Sequence, residues 1–218
     1  MIVKDINVHY PNYGSILLEG YRIHENWYKT AEIQTKTFWV NSIKPDWNIL
    51  DIGANIGMYS VLFSKLAHKG KVVCFEPTPT SEMLIRTLNY NNVSNCSVYK
   101  QAVSDKVGVH KDRLQMIWKT KVLDQNFDFI TIDHFCKTNN FIPDAIKIDI
   151  DGYDPEALYG AKKTLLEQNP IIVVELNPEA LGYRGHKPKD AVEFMKSLEY
   201  SLKQIMDGEN YLFVKEKK

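Results

Sequence analysis

The sequence is short of cysteine, of net charge and of long apolar runs, and each shortage excludes a class of protein. Three cysteines among 218 residues are too few for a disulfide framework or a zinc cluster. The 27 basic side chains balance 27 acidic ones, so the chain lacks the basic excess of a non-specific nucleic-acid binder. The longest apolar stretches, such as 171–174, have strand length and could not span a bilayer. We therefore expect a cytoplasmic protein with no nucleic-acid partner and no membrane insertion.

What is present is an ordinary globular composition arranged as alternating strands and helices. Hydrophobic residues make up 44% and charged residues 25% of the chain. Asp207-Gly208 separates two apolar runs near the end, which predicts a hairpin. We predict an α/β fold with a doubly wound, mostly parallel sheet and a C-terminal antiparallel hairpin, and we expect residues 105–132 to be irregular. The apolar runs expected as core strands are 48–52, 71–75, 97–103, 145–150 and 171–175.

The first core strand runs into a turn rich in glycine and led by a carboxylate, Asp51. The glycines allow close approach of a ligand, but the three-glycine spacing of dinucleotide-binding proteins is absent. A carboxylate in this turn would repel a pyrophosphate and suit an ammonium group. Glu76, at the end of the second strand, is placed to accept the two hydroxyls of a ribose. Together the two features predict S-adenosylmethionine as cofactor; the alternative is a polar loop in which Glu76 only caps nearby amides.

Seven segments follow one another along the chain: 49–57, 75–77, 102–105, 131–135, 146–152, 160–161 and 174–175. In this order they resemble the FkbM family of S-adenosylmethionine-dependent methyltransferases. The resemblance implies a class I methyltransferase, Rossmann-like fold and methyl transfer to an oxygen, often a sugar hydroxyl. By this resemblance the cofactor-binding residues are Asp51, Gly53, Asn55 and Gly57 at its amino-acid end, Glu76 and Pro77 at the ribose, Gln101 and Ala102 at the adenine, and Asp149. The sequence departs from the family pattern at Asp151 and Asp154, which are shorter than the usual glutamate, and at Tyr153, which replaces a small residue.

The fourth core strand carries a row of charges on one face, formed by Lys147, Asp149 and Asp151. Lys147 inside a central strand needs a carboxylate partner, and Asp51 and Glu175 on neighbouring strands are the candidates. The paired carboxylates Asp149 and Asp151 suit a general base or a metal ligand. Asp154 precedes Pro155 and is expected to cap a helix.

Glu175 and Asn177 end the fifth core strand, next to the fourth. With Asp149 they would give the oxygen ligands that Mg²⁺ or Mn²⁺ prefers; alternatively Glu175 is the base itself or the partner of Lys147. The catalytic candidates are therefore Asp149, Asp151 and Glu175. The histidines show no metal-ligand spacing, and His186 lies in a loop that could close over the acceptor.

Residues 1–46 lie outside the alternating pattern and are rich in aromatic side chains. We predict an N-terminal extension over 1–46, a possible cap on the acceptor site, ahead of a cofactor-binding domain over 47–218. Rings with a polar tip suit the apolar faces of sugars, although the same rings could fill the core at the flank of the sheet. The candidates for the cap are Tyr10, Tyr13, Trp27 and Tyr28.

Taken together, the sequence favours an S-adenosylmethionine-dependent O-methyltransferase acting on a sugar hydroxyl of a glycan or glycosylated product. The first alternative is O-methylation of a small non-sugar metabolite. Two further alternatives come from other classes: an NAD-dependent oxidoreductase, which the missing three-glycine spacing disfavours, and a non-catalytic cofactor-binding module. No pattern in the sequence indicates an oligomeric state.

Overall fold

The computed structural model describes residues 2–117 and 121–215, and its elements alternate along most of the chain. The strands are β1 (Ile2–Tyr10), β2 (Gly14–Tyr21), β3 (Ile49–Ile52), β4 (Val72–Phe75), β5 (Cys96–Tyr99), β6 (Ala102–Val103), β7 (Gly108–Ile117), β8 (Lys121–Ile130), β9 (Ala145–Ile148), β10 (Ile171–Glu175), β11 (Ser201–Met206) and β12 (Asn210–Val214). The helices are α1 (Glu25–Thr30), α2 (Ile33–Ser42), α3 (Met58–Leu66), α4 (Thr80–Tyr90), α5 (Ile132–Asn139), α6 (Asp154–Tyr159), α7 (Lys162–Gln168), α8 (Pro178–Gly182) and α9 (Pro188–Ser197). None of these helices has the length and apolar character needed to span a bilayer.

A seven-stranded sheet in the order β11-β12-β10-β9-β3-β4-β5 forms the centre of the protein. The five strands from β10 to β5 are parallel, and β12 is antiparallel to both of its neighbours. Strands β3, β4 and β9 are buried at every position because helices cover both faces of the sheet. The predicted doubly wound, mostly parallel sheet with a C-terminal antiparallel hairpin is confirmed.

Alternating side chains of the central strands divide the interior into two cores. Ile49 faces the core that contains α3 and α4, whereas Leu50 and Ile52 face the core that contains α5, α6, α7 and α9. Since parallel strands all end at the same edge, the turns after β3, β4, β9 and β10 gather at one place.

The N-terminal segment packs against α3 and α4. β1 and β2 form an antiparallel hairpin whose inward side chains, such as Ile6, Val8 and Leu18, are fully buried in the same core as those helices. Glu19 is 2% exposed and accepts three hydrogen bonds from the Arg86 guanidinium of α4, at 2.8 to 3.1 Å. The division of the chain at residue 46 stays a prediction.

Most of the segment 105–132, which the sequence predicted to be irregular, forms strands in the part that the structure describes. β7 and β8 form a long antiparallel hairpin, and β6 extends it to three strands. Most side chains of β8 are exposed, so its sequence lacks the alternation of apolar and polar residues that marks a half-buried strand. Strand β8 ends at Ile130, and Thr131 caps α5 by accepting a hydrogen bond from the His134 amide.

Candidate active site

A cavity of about 900 Å³ lies at the carboxyl ends of β3, β4, β9 and β10. Residues of α1 and of the β7–β8 hairpin complete its walls. This volume suits a cofactor-sized ligand together with part of a second molecule. The predicted site residues that line the cavity are Asp51, Gly53, Asn55, Glu76, Pro77, Gln101, Ala102, Asp149, Asp151 and Glu175.

The turn after β3 brings the backbone close to the cavity. Gly53 has a φ of +81°, and a Cβ atom there would collide with the Asp149 carbonyl oxygen. Gly57, also predicted to contact the cofactor, is absent from the cavity wall, and its contact with the cofactor stays a prediction. Gly57 begins α3 with a φ of +94°, and a Cβ atom there would lie 2.7 Å from the Leu84 side chain of α4. Its role is therefore to turn the chain and let two helices approach.

Glu76 is 6% exposed and ties together the loops at the end of β4. One carboxylate oxygen accepts from the Asn55 amide at 2.9 Å, and the other accepts from the Thr78 amide and hydroxyl at 3.0 and 2.6 Å. Burial raises the pKa of Glu76, and these hydrogen bonds oppose the rise. Glu76 thus caps nearby amides, as the alternative interpretation held, and it also lines the cavity, where the ribose contact stays a prediction.

Lys147 is 2% exposed, and its partner differs from the two predicted carboxylates. Its Nζ donates to Asp149 Oδ2 at 2.8 Å, because a long side chain reaches along its own strand to the next residue on that face. Burial opposes the charge of Lys147, but the nearby carboxylates of Asp149, Asp51 and Glu32 raise its pKa. Asp51, 1% exposed, accepts instead from the Ser60 hydroxyl at 2.6 Å.

The carboxylates after β9 lie in an acidic surrounding. Burial and the charges of Asp149, Asp154 and Glu76 raise the pKa of Asp151 to about 8. Asp154 does not cap α6 as predicted, since the N-cap is Tyr153. The Asp154 carboxylate accepts instead from the Ile150 and Gly152 amides at 3.0 and 2.9 Å, which fixes the loop that carries Asp151.

Glu175 ends β10, and its side chain makes no hydrogen bond or ion pair with the part of the chain that the structure describes. Burial, followed by the charges of Asp149 and Asp154, raises its pKa well above the usual value. Asn177, predicted as an oxygen ligand, makes other contacts. Its Nδ2 donates to Glu209 at 2.7 Å, and its Oδ1 caps α8. The described residues hold no group of three or more His, Cys, Asp or Glu placed to bind a metal.

Sequence reasoning missed Glu32, which comes from the N-terminal segment. Glu32 precedes α2 with a φ of +56°, and one carboxylate oxygen accepts from Asn210 Nδ2 at 3.2 Å. The other oxygen is buried and has no partner among the described residues. Burial raises the pKa of Glu32 to about 7. No motif marks this residue, because only the three-dimensional fold brings it to the ends of β9 and β10.

The aromatic candidates of the N-terminal segment divide into two groups. Trp27 and Tyr28 line the cavity. Tyr10 is fully buried, its hydroxyl donates to the Met58 carbonyl, and neither Tyr10 nor Tyr13 reaches the cavity wall.

A second missed feature is Arg184, in the loop after α8. Its guanidinium lies 3.4 Å from the ring centroid of Tyr153, donates to Glu156 at 2.9 Å and lies 3.7 Å from Asp112 of β7. It therefore joins the loop, α6 and the hairpin on one side of the cavity. His186, predicted to close over the acceptor, contacts Glu156 at 3.2 Å and is absent from the cavity wall.

The unsatisfied polar atoms of the cavity fit S-adenosylmethionine. Asp51 Oδ1 and Asn55 Oδ1 are buried and lack partners among the described residues, beside a glycine turn that leaves room for a ligand. An ammonium group would satisfy Asp51, and Glu76 lies on the same wall for a ribose.

The strand order, the antiparallel β12 and the carboxylate-led turn after the first core strand define a class I methyltransferase. The sequence profile of the Methyltransferase FkbM domain matches residues 51–202. The chain therefore belongs to the FkbM family of S-adenosylmethionine-dependent methyltransferases. No curated protein matches the sequence.

Three solved structures illustrate the fold. Methyltransferase FkbM from Methylobacillus flagellatus KT is 17% identical with a TM-score of 0.56, covering 87% of this chain and 52% of its own, so the chain spans about half of that structure. Precorrin-6y C5,15-methyltransferase from Geobacter metallireducens GS-15 is 15% identical with a TM-score of 0.54, covering 86% and 88%. TYW2 from M. jannaschii in complex with AdoMet is 14% identical with a TM-score of 0.52, covering 98% and 86%. At these identities the likeness establishes the fold alone.

Proposed function

We propose that the protein is an O-methyltransferase that acts on a sugar hydroxyl of a glycan or glycosylated product. The observation that carries the proposal is that an exposed aromatic side chain and an unpaired carboxylate line the same cavity. The indole of Trp27 is 49% exposed, and Glu175 faces the same cavity. A sugar presents an apolar C–H face to a ring and hydroxyls to carboxylates, so this pairing suits it.

S-adenosylmethionine supplies an electrophilic methyl group when bound. The residues that would hold it are Asp51 and Asn55 at the amino-acid end, Glu76 at the ribose, and Gln101 with Ala102 beside the base. Gly53 permits the close approach, since its turn carries no side chain. Pro77 follows Glu76 on the wall.

The remaining task for the chain is to orient a hydroxyl and accept its proton. Asp149 is already bonded to Lys147, so its Oδ2 is committed. Glu175 has no such bond, and burial raises its pKa, which suits a general base. We propose Glu175 as the general base, with Asp149 and Lys147 as an ion pair that fixes the adjacent wall, and Asp151 as a neighbouring polar contact.

The charge of the cavity disfavours a nucleic acid as acceptor. The wall, as far as the structure describes it, carries eight acidic and three basic side chains. A phosphate backbone would be repelled by this excess. Membership of the family assigns methyl transfer rather than the hydride transfer of an NAD-dependent enzyme. A small non-sugar metabolite is the alternative acceptor.

The test is incubation with methyl-labelled S-adenosylmethionine and a panel of sugars, glycans and glycosylated small molecules, beside phenols without sugar. We expect label on a sugar oxygen. Glu175→Gln should reduce turnover by roughly a hundredfold while cofactor affinity stays unchanged. Label on phenols alone would favour the non-sugar alternative, and full turnover by the variant would remove Glu175 as base.

A further inference from the structure

We infer that the acceptor of this reaction carries an ammonium group, as in an amino sugar, and that Glu32 binds it, which leaves Glu175 to accept the hydroxyl proton. The inference rests on the proposed function and narrows its substrate class. It starts from the carboxylates that the fold gathers beyond β9 and β10, at the end of the cavity away from Glu76.

The first step is the balance of charge at that end. Lys147 is bonded to Asp149, and the Glu209 carboxylate accepts from Asn177. Glu32, Glu175 and Asp151 remain, and none of them forms an ion pair with the described residues. Asp151 lies in the loop that Asp154 fixes, whereas Glu32 and Glu175 meet at Asn210 of β12. A nearby cation, Lys36, donates to the backbone carbonyls of Tyr28 and Ala31 rather than to either carboxylate, and it does not line the cavity.

Unpartnered polar atoms are the second, independent observation. Tyr59 lines the cavity, is 4% exposed, and its hydroxyl has no hydrogen-bond partner among the described residues. One oxygen of Glu32 is in the same condition. Burying such atoms without a partner is costly, so their presence on a cavity wall indicates a polar ligand that satisfies them.

The third step assigns Glu32 to the acceptor rather than to the cofactor. Glu32 accepts a hydrogen bond from Asn210 Nδ2 at 3.2 Å, and Asn210 pairs with Glu175 in the ladder between β10 and β12. Asp51, at the amino-acid end, accepts instead from the Ser60 hydroxyl of α3. Glu32 therefore lies with the carboxylates of β9 and β10.

An ammonium group would satisfy both the unpaired carboxylate of Glu32 and the unpartnered hydroxyl of Tyr59. It carries three donors for carboxylate and hydroxyl oxygens, and aromatic faces such as that of Trp27 attract it. A metal ion fits less well, because the described residues offer no group of three ligands. A neutral acceptor would leave Glu32 either charged and unpaired or protonated, with a pKa of about 7. Binding of an ammonium group should therefore release protons near neutral pH.

The experiment measures binding of matched sugars to the full chain loaded with S-adenosylhomocysteine. The probes are glucosamine, galactosamine and mannosamine, each beside its N-acetyl counterpart, titrated by calorimetry in two buffers of different ionisation enthalpy. We expect at least one amine to bind roughly tenfold or more tightly than its acetylated counterpart, with net proton release. Equal or weaker binding of all three amines, or no binding of any probe, would overturn the inference.

Glu32→Gln separates the acceptor role from a cofactor role, with Glu193→Gln, an exposed carboxylate on α9, as the matched control. The Glu32 variant should lose the preference for the amine by about tenfold and keep its affinity for S-adenosylmethionine, whereas the control should keep both. Weaker cofactor binding with an unchanged amine preference would assign Glu32 to the cofactor and overturn the inference.

Methyl transfer to neutral glycans at full rate would also overturn the inference while leaving the proposed function in place. Transfer to no sugar at all would instead defeat the proposed function.

Discussion

At the scale of single residues, Glu76 fixes two loops of the cavity wall. Its two carboxylate oxygens hold the amides of Asn55 and Thr78, which lie in two different loops. Oε1 accepts from both the amide and the hydroxyl of Thr78, whereas Oε2 accepts from the Asn55 amide and has a lone pair left for the proposed ribose hydroxyl. Substitution should therefore affect the cofactor through two routes: lost hydrogen bonds to the ribose and a loosened turn.

Glu76→Ala should weaken binding of S-adenosylmethionine by at least about tenfold, because charge-assisted hydrogen bonds are worth about 1.5–3 kcal/mol each. Glu76→Gln keeps one acceptor for the loop amides and should lose less. Calorimetric titration measures both, with the exposed Glu82→Ala on the adjacent helix α4 as control. A folded Glu76→Ala protein with wild-type affinity would remove Glu76 from the site.

The residues that the sequence identified share one property: they follow a core strand. Glu76 and Glu175 could be placed at the cavity because the ends of parallel strands meet at one edge. The partner of Lys147 could not be placed, since strand alternation puts Asp51, Asp149 and Glu175 all within reach and only side-chain packing selects Asp149. Glu32 was out of reach of any motif, because it depends on how a hairpin and a helix outside the alternating pattern pack.

At the scale of elements, the pair Glu19–Arg86 joins the N-terminal hairpin to the methyltransferase core. β2 carries the nearly fully buried carboxylate, and α4 carries the guanidinium that forms three hydrogen bonds to it. The hairpin also buries apolar side chains in the core of α3 and α4. Truncating residues 1–25 would therefore disturb folding, and point substitutions are the better test of the N-terminal segment.

Arg86→Met should destabilise the protein by about 2 kcal/mol or more, because it leaves Glu19 buried with its charge uncompensated. Lys189→Met is the matched control, since Lys189 and Glu193 form an exposed pair with 77% and 63% exposure. Loss of such a pair changes stability by less than about 1 kcal/mol. Urea unfolding of both variants provides the comparison, and equal stability of the two variants would show that Glu19 does not need its partner.

The hairpin β7–β8 shows why some elements escape sequence reasoning. Its strands are set by hydrogen bonds between two largely solvated segments, so no apolar pattern reports them. The central strands are the opposite case: β3, β4 and β9 are buried at all positions and appear in the sequence as continuous apolar runs. The same difference in burial explains why the type of sheet was predictable from the sequence, whereas the cavity wall formed by the hairpin was not.

At the scale of the whole molecule, a neutral chain surrounds an acidic cavity. Formal charges cancel over the sequence, yet the described cavity wall carries an excess of carboxylates. Burial and mutual repulsion raise the pKa of Asp151 to about 8 and those of Glu32 and Asp154 to about 7. Near neutral pH the folded, ligand-free protein therefore binds protons at these carboxyl groups, whereas the unfolded chain has released them.

The last prediction follows from that proton balance. A carboxyl group whose pKa is higher in the folded protein than in the unfolded chain makes the folded state bind more protons, so stability falls as pH rises between the two values. For Asp151 this window extends from its ordinary value of 3.8 to about 8. The pKa of Asp112 is shifted in the opposite direction, to about 2, so this group changes the pH dependence of stability only below that window. The free energy of unfolding of the ligand-free protein should therefore be lower at pH 8.5 than at pH 6.

Asp151→Asn tests the widest of these pKa windows, because it removes the charge and keeps the shape. Asparagine also tolerates the positive φ of +51° at this position. The variant should be more stable than the wild type at pH 8.5 by at least about 1 kcal/mol, and its stability should depend less on pH. Urea unfolding from pH 6 to pH 8.5 measures both, with the exposed Asp46→Asn as control. A wild-type stability that stays constant or rises from pH 6 to pH 8.5 would contradict the prediction. It would show that these carboxyl groups ionise in the folded protein without a loss of stability, so the acidic cavity would need no proton or cation to balance its charge.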